Sequence, residues 1–434
     1  MRHLILIILL ILFFGNAFSQ GNITLKEAVE KALLNNYSIR IAQTSNQIAK
    51  NNVAPGNAGM LPKVDLVAGY NYANTDLYLV LLTGQRIEQA GNVAKTVNGG
   101  VQLSWTILDD MGMFISYERL KTLKSRSDVE LKISVENTVK EIARTYYNSL
   151  LLKKNLDVMN ESIELSYRRM KRIEDRKEYG ASNSLELLRA KVDLNTDSTN
   201  YKRTELNYKN SLRMLIYLMG EKVSGSGYDI GADIEFYQEK SIEDLRNLAQ
   251  KSNNSILQAL KNKEITELDY ELIKTNYMPK VNLTASYSYN RTDADAGFLL
   301  VNQNYGLGTG VNLSWNIFDG MRTNIQAQNT KLMSEMNSIS IEMLRNQIDM
   351  AVINNYEALV EKKAILDMDI ANLGAAELNY QRSLDLFDLG QITSLELREA
   401  QLNLNRSKMR INESMLDAKL SEIELNILTG TLNY

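Results

Sequence analysis

The sequence predicts an α+β membrane protein made of two copies of one structural unit, each copy supplying two transmembrane β-strands and a long antiparallel helical hairpin. Three observations predict it. The segment GVQLSWTILDDM at 100–111 returns as GVNLSWNIFDGM at 310–321, and both tryptophans of the chain, Trp105 and Trp315, lie inside those copies. Four short segments alternate apolar and polar residues with the period of two that a strand with one apolar face requires. Two long stretches, Lys63 to Met278 and Lys280 to Tyr434, contain no proline and so are compatible with very long helices.

The repeat extends well beyond the tryptophans. LPKVDLVAGYNY at 61–72 matches MPKVNLTASYSY at 278–289, and GASNSLELLRAKVDLN at 180–195 matches GQITSLELREAQLNLN at 390–405. Agreement in order over this length means two equivalent halves. The offset is 217 between Pro62 and Pro279 but 210 between Trp105 and Trp315, so the first copy carries seven extra residues in between. Length varies most readily in loops. Residues 73–97 and 291–308, rich in Asn, Thr, Gly and Asp, therefore read as external loops, with an apolar patch at Leu77 to Leu82 that the pattern leaves unexplained.

In chain order, residues 1–19 read as a secretory signal peptide, with Arg2, an apolar run from Leu4 to Phe14 and cleavage after Ser19. The first repeat, 20–220, opens with the helix ITLKEAVEKALLNN, where Thr24 is the N-cap and Glu27 completes a capping box. Strands follow at about 62–72 and 100–108, then a helical hairpin over about 116–220 that turns at Gly180. Residues 221–240 form a connector at the equator of the molecule. The second repeat, 241–430, starts with SIEDLRNLAQKSNN, capped by Ser241 with Asp244, and repeats the strands at about 279–289 and 310–318 and the hairpin at about 324–430, turning at Gly390. Residues 431–434 are a tail. In the last helix Leu416, Leu420, Ile423 and Ile427 show the 4, 3, 4 spacing of coiled-coil packing.

Composition excludes several classes of function. There is no cysteine, and the only histidine, His3, falls in the signal peptide. The mature chain thus lacks the usual general base, the thiolate nucleophile and the commonest metal ligands, so no catalytic, cofactor or metal site is assigned. No phosphate-loop or dinucleotide fingerprint is present. A net charge of −3, with the basic residues dispersed, argues against nucleic acid as a partner. No segment after the signal reaches the roughly 18 apolar residues of a spanning helix.

Strands of about nine residues with one apolar face fit a membrane-spanning β-sheet, although a soluble sandwich shows the same alternation. In hydrocarbon such strands must close into a barrel, and four are too few. Several copies must then combine, two giving eight strands and three giving twelve; Asn, Ser, Thr and Gln on the other face suit the wider, water-filled ring. A competing reading is a secreted coiled-coil scaffold or adhesin without a pore, which accounts for the helices but not for the strands.

The ordered set LKEAVEKALLNN, LPKVDL, W-x-I-[LF]-D-[DG] in both halves and the two G-x(4)-LEL turns resembles the TolC-type outer-membrane efflux family over essentially the whole mature chain. The resemblance implies a homotrimer in outer-membrane lipid. Its twelve strands form one barrel and its twelve helices a periplasmic tunnel. It also implies a passive channel that completes a tripartite efflux or type I secretion system, with a periplasmic adaptor protein and an inner-membrane pump as partners and no catalysis. Counted from the turn glycine, Glu396 and Glu399 match the positions of the family's acidic ring at the periplasmic gate; Glu396 also fits a plain capping box with Thr393. The basic residue that some members use to lock the gate falls on Ile392 here. Gly180, Ser184, Leu185, Gly390, Ser394 and Leu395 resemble the adaptor-docking turns. Tyr70, Tyr72, Tyr287, Tyr289, Trp105 and Trp315 read as membrane-interface anchors, or, for the tryptophans, as packing at the strand-to-helix joint.

Overall fold

The computed structural model describes residues 21–180, 182–223, 228–231, 234–236 and 240–431. The signal-peptide reading at 1–19, part of the connector and all but the first residue of the tail lie outside them. In chain order the elements are β1 (Gly21–Ile23), α1 (Leu25–Asn35), α2 (Tyr37–Asn52), β2 (Lys63–Val80), β3 (Arg86–Leu108), α3 (Gly112–Glu178), α4 (Ser184–Leu218), β4 (Tyr228–Ile230), α5 (Ile242–Ser252), α6 (Asn254–Lys274), a 3₁₀ turn (Thr275–Tyr277), β5 (Lys280–Ala294), β6 (Val301–Ser314), α7 (Arg322–Asp388) and α8 (Ser394–Leu428). They fall into two compact units. One comprises the described residues up to Thr44, Val129–Leu257 and the chain from Glu342 onward; the other comprises Ser45–Asp128 and Gln258–Ile341.

The second unit holds a four-stranded antiparallel sheet in the order β2-β3-β5-β6. Registers in the two hairpins correspond residue for residue. Leu66 pairs with Val101 and their counterparts Leu283 and Val311 pair with each other, as do Val64 with Leu103 and Val281 with Leu313.

The strands correct the expected loops. Most of 73–97 and 291–308 is ladder: only residues 81–85 and 295–300 connect the strands. A backbone ladder needs no apolar side chains, so the alternation signal stops where both faces turn polar while the hydrogen bonds continue. The seven extra residues thus lengthen the first hairpin instead of its loop. Leu77 to Val80 complete β2, and Leu81 begins a turn closed by bonds from Leu81 N to Gln85 O and Gly84 N to Leu81 O, both 2.8 Å. A bulge at Ala90 and Gly91 of β3, opposite Asp76, whose carboxylate accepts the Gly91 N–H at 2.8 Å, shifts the register there.

The end of β6 is a second correction. β3 reaches Leu108 because β5 pairs with Trp105, Thr106 and Leu108, whereas β6 stops at Ser314 and leaves 315–318 outside the sheet. Among the described residues no strand lies on the far side of β6 to hold them.

In the first unit, α1 carries the expected capping box, with Thr24 N bonded to Glu27 Oε2 at 2.9 Å and Glu27 N to Thr24 Oγ1 at 3.2 Å. Helices α2 and α6 were not anticipated. Each follows its predecessor after a single asparagine that breaks one helix and caps the next: Asn36 Oδ1 accepts from Ser38 N and Ile39 N, and Asn253 Oδ1 from Ser255 N and Ile256 N. The same two amides donate to Leu218 O and Leu428 O, tying the ends of α4 and α8 to these joints. Gly220 and Gly430, at φ 73° and 64°, end those helices. A Cβ on Gly220 would stand 2.3 Å from Asn35 O, so only glycine lets the chains approach. Ala28, Ala32, Ile142, Tyr146, Leu215 and Met219 form the core around α1. Within the expected connector, β4 pairs in parallel with β1.

Candidate functional site

Two surfaces stand out, one in each unit. On the sheet, the apolar members of the alternating strands point outward and are uncovered: Leu66 is 81% exposed, Leu313 66%, and Val64, Tyr70, Tyr72, Tyr287, Tyr305 and Leu307 are likewise open. Apolar residues so extensively exposed on one face are the mark of a surface made for lipid or for other protein. Among the described residues, both β2 and β6 are free edges of this sheet. Among the described residues no helix is long and apolar enough to cross a membrane.

Sequence-singled aromatics sit at defined heights on it. The indole N–H of Trp105 donates to Met60 O at 2.9 Å and that of Trp315 to Tyr277 O at 3.0 Å, equivalent carbonyls just before β2 and β5. Both rings are also exposed, so a polar tip is fixed to the joint while an apolar body faces outward. Past each tryptophan the W-x-I-[LF]-D-[DG]-M motif makes the sharp turn into the long helix. Asp110 and Met111 in one copy, Gly320 and Met321 in the other, adopt left-handed backbone at φ 55° to 70°. That conformation explains why the first of these positions is Asp or Gly.

The second surface is formed by the turns between the long helices. Gly180 and Gly390 hold φ 77° and 75° with open space around them. Gln391 N bonds Leu386 O at 2.9 Å, closing the end of α7. Thr393 and Glu396 form a reciprocal capping box, Thr393 N to Glu396 Oε2 at 2.7 Å and Glu396 N to Thr393 Oγ1 at 3.3 Å. The bond from the Thr393 backbone, then that from its hydroxyl, holds the Glu396 carboxyl below the usual glutamate range. Glu399, one turn on, is exposed. In the first copy Asn183 caps Glu186 N at 2.9 Å, but Glu186 turns to the Ser182 hydroxyl, so the reciprocal box is confined to the second copy. Leu185 and Leu395 are exposed beside Ser184 and Ser394, together with Tyr179 and Leu389.

Behind this tip lies a buried polar cluster that sequence reasoning missed. Arg398 of α8 makes two bonds to Asp197 of α4, both 2.7 Å, and one to Ser166 of α3 at 3.1 Å. Gln401 donates to Ser166 Oγ at 2.9 Å and Ser162 O at 3.1 Å, and Arg169 pairs with Asp193 at 2.6 Å. The Arg398 and Asp197 side chains are each only 8% exposed. Burial alone would push the Asp197 carboxyl up, but the bonds from Arg398 and Ser166 outweigh it and leave the group below the usual aspartate range. Nearer the turn, Arg172 reaches Asp388 at 2.8 Å and Arg176 lies 4.4 Å over the Phe387 ring. No local signal marked it: Arg398 and Asp197 lie near the buried cluster of Ala190, Leu397, Ala400 and Leu404, but in the sequence each reads as an ordinary helix charge.

Compared with known proteins, residues 28–221 and 245–431 each match the family described as "Outer membrane efflux protein". The outer membrane protein TolC of Escherichia coli is 21% identical, covering 94% of this chain and 82% of its own length; that of Vibrio cholerae is 20% identical over 88% and 84%. Among solved structures, the CmeC outer membrane channel of Campylobacter jejuni superposes with a TM-score of 0.78 at 17% identity, covering 94% of this chain and 85% of its own. The open state of the Neisseria gonorrhoeae MtrE outer membrane channel gives 0.73 at 14%, covering 94% and 88%.

Proposed function

Because the chain belongs to the outer membrane efflux protein family, we propose that three copies join their sheets into one twelve-stranded barrel, continued by twelve helices around a common tunnel. The protein is an outer-membrane efflux channel of tripartite export systems, seated in the bacterial outer membrane and reaching into the periplasm. Its family is one of channel proteins, not of enzymes.

The observation that carries the trimer is the open sheet. Its apolar face suits lipid, but the unpaired N–H and C=O groups of β2 and β6 could not remain bare in hydrocarbon, where each costs several kcal/mol. One copy supplies four strands, too few to close. Three supply twelve, with Asp65, Asn71, Gln102 and Ser104 on the lumen face. In this reading the exposed rings of Tyr70, Tyr72, Tyr287, Tyr289, Trp105 and Trp315 anchor the barrel at the headgroup level. The two repeats run from 20 to 220 and from 241 to 430, and residues 1–19 are the export signal. Gly180, Ser184, Leu185, Gly390, Ser394 and Leu395 present the docking turns to a periplasmic adaptor, which links the channel to an inner-membrane pump. Glu396 and Glu399, three of each, narrow and charge the entrance so that cations are favoured over anions.

Detergent-extracted protein should migrate as a heat-modifiable trimer and give discrete conductance steps in planar bilayers. A water-soluble monomer without conductance would refute the reading.

A further inference from the structure

The barrel reading leaves open how two copies meet, and the sheet supplies the answer. Within one chain, β3 and β5 form the seam where the first repeat joins the second. Shifted forward by one repeat, that seam becomes β6 of one copy against β2 of the next. From the geometry of β3 and β5, we infer that β6 and the recess at its end receive the partner's β2 in one register, Leu313 beside the partner's Ala68 and Val311 beside the partner's Tyr70. The inference rests on the proposed barrel.

The register follows by transposition. Leu103 pairs with Ala285 and Val101 with Tyr287. Their counterparts, at the offsets of 210 and 217 noted above, are Leu313 with Ala68 and Val311 with Tyr70. The β2–β3 register reproduces that of β5–β6 at the same offsets, so the two repeats pair their strands alike.

Four features of this edge fit that occupant. First, residues 315–318 leave the sheet although their counterparts 105–108 are strand, and those counterparts are held by β5 alone, because β2 begins at the Lys63–Ser104 pair. The partner's β2 would restore the missing ladder. Second, Gly100 is glycine because a Cβ there would lie 2.6 Å from Tyr287 O across the seam; its counterpart on the free edge, Gly310, is glycine as well. Third, Thr106 Oγ1 donates to Asn282 Oδ1 at 2.8 Å, and the counterparts are the Asn316 amide and the partner's Asp65, again a donor facing an acceptor. Fourth, a recess of about 440 Å³ lined by Lys280, Asn316, Arg322 and Thr323 opens at this end of β6. In the first copy the corresponding place, at Gly112, is bordered by Asp109 and Thr275, whose oxygens would stand 2.8 and 3.3 Å from a Cβ there. The segment around the partner's Ala58 is the counterpart of Thr275, and the partner's Asp65 brings a negative charge to a recess holding Lys280 and Arg322. β6 itself contains no charged residue or proline, the usual guards of an edge that must stay single.

The absence of native cysteine makes the test clean. Directly opposed residues have Cα atoms about 4.5–5.5 Å apart, within disulfide reach, whereas partners two residues off register stand about 7–8 Å apart, outside it. Trimers carrying L313C with A68C, or V311C with Y70C, should link spontaneously into covalent trimers on non-reducing denaturing gels. L313C with Y70C and V311C with A68C should stay unlinked, and the intrachain pair L103C with A285C calibrates the yield. An intact trimer in which an off-register pair links better, or in which neither in-register pair links, overturns the register while leaving the barrel standing. A protein that native mass spectrometry finds monomeric in detergent overturns both.

Discussion

Replacing Arg398 with leucine tests whether the buried cluster holds the tip of the helical unit together. The guanidinium makes two 2.7 Å bonds to Asp197 and one to Ser166. Its loss strands a carboxylate in a site only 8% exposed. Breaking a buried pair by removing one partner costs about 3–5 kcal/mol. Ser162 and Ser166 still donate to Asp197, at 3.3 and 2.6 Å, which places the cost at the lower end. About 3 kcal/mol corresponds to a local opening equilibrium raised roughly 100-fold. Hydrogen exchange read by mass spectrometry should report it in peptides covering Ser162 to Ile173 and Thr393 to Leu404, with distant helices unchanged. Arg398→Leu combined with Asp197→Leu should recover most of the loss, since neither charge is then stranded. The pH dependence has a definite sign. A carboxyl held below its unfolded value contributes fully above that value, about 3.9, and loses its contribution as pH falls through the folded one. The gap between wild type and the single variant should therefore close below about pH 4. A single variant whose opening rises less than about fivefold, near 1 kcal/mol, would refute the reasoning.

Glu396→Gln should keep the capping box, because an amide oxygen can accept the Thr393 N–H, while Glu396→Ala should lose about 0.5–2 kcal/mol of helix stability. If Glu396 and Glu399 form a charged ring, the Gln variant nonetheless lowers cation selectivity in bilayers, and reversing both to Lys inverts it; unchanged selectivity would disprove the ring. Gly390→Ala should cost only the left-handed strain, about 1–2 kcal/mol, since space there is open, whereas Gly220→Ala drives a Cβ to 2.3 Å from Asn35 O and should cost clearly more in a thermal melt followed by circular dichroism. Trp315→Phe removes the bond to Tyr277 O, worth about 1 kcal/mol, and should lower the temperature at which the trimer dissociates on gels; no shift would assign that tryptophan to lipid contact alone.

The long helices and their turns were legible because they obey local rules. Proline is absent, Gly180 and Gly390 mark the reversals, and Thr393 with Glu396 writes a cap in four residues. The strand cores were legible for the same reason, their period of two. What stayed hidden depends on partners distant in sequence. The upper parts of β2 and β3 are held by backbone pairing and carry Asn, Thr and Gly, which read as loop. Helices α2 and α6 were hidden by the asparagines before them, whose double role as stop and cap appears only when Leu218 and Leu428 supply the carbonyls. Arg398 and Asp197 are 201 residues apart, and each taken singly looks like a solvated helix charge.

If the proposed barrel forms with its hairpin turns outside the cell, their unequal lengths shape its rim. β2 and β3 are 18 and 23 residues long against 15 and 14 for β5 and β6. A closed ring of three copies would then carry a crenellated crown, tall and short merlons alternating, with Leu82 uncovered on each tall one. Antibodies or phage approaching from outside would meet three summits instead of a level parapet, and shortening them by seven residues should alter that encounter while the bore beneath keeps its width.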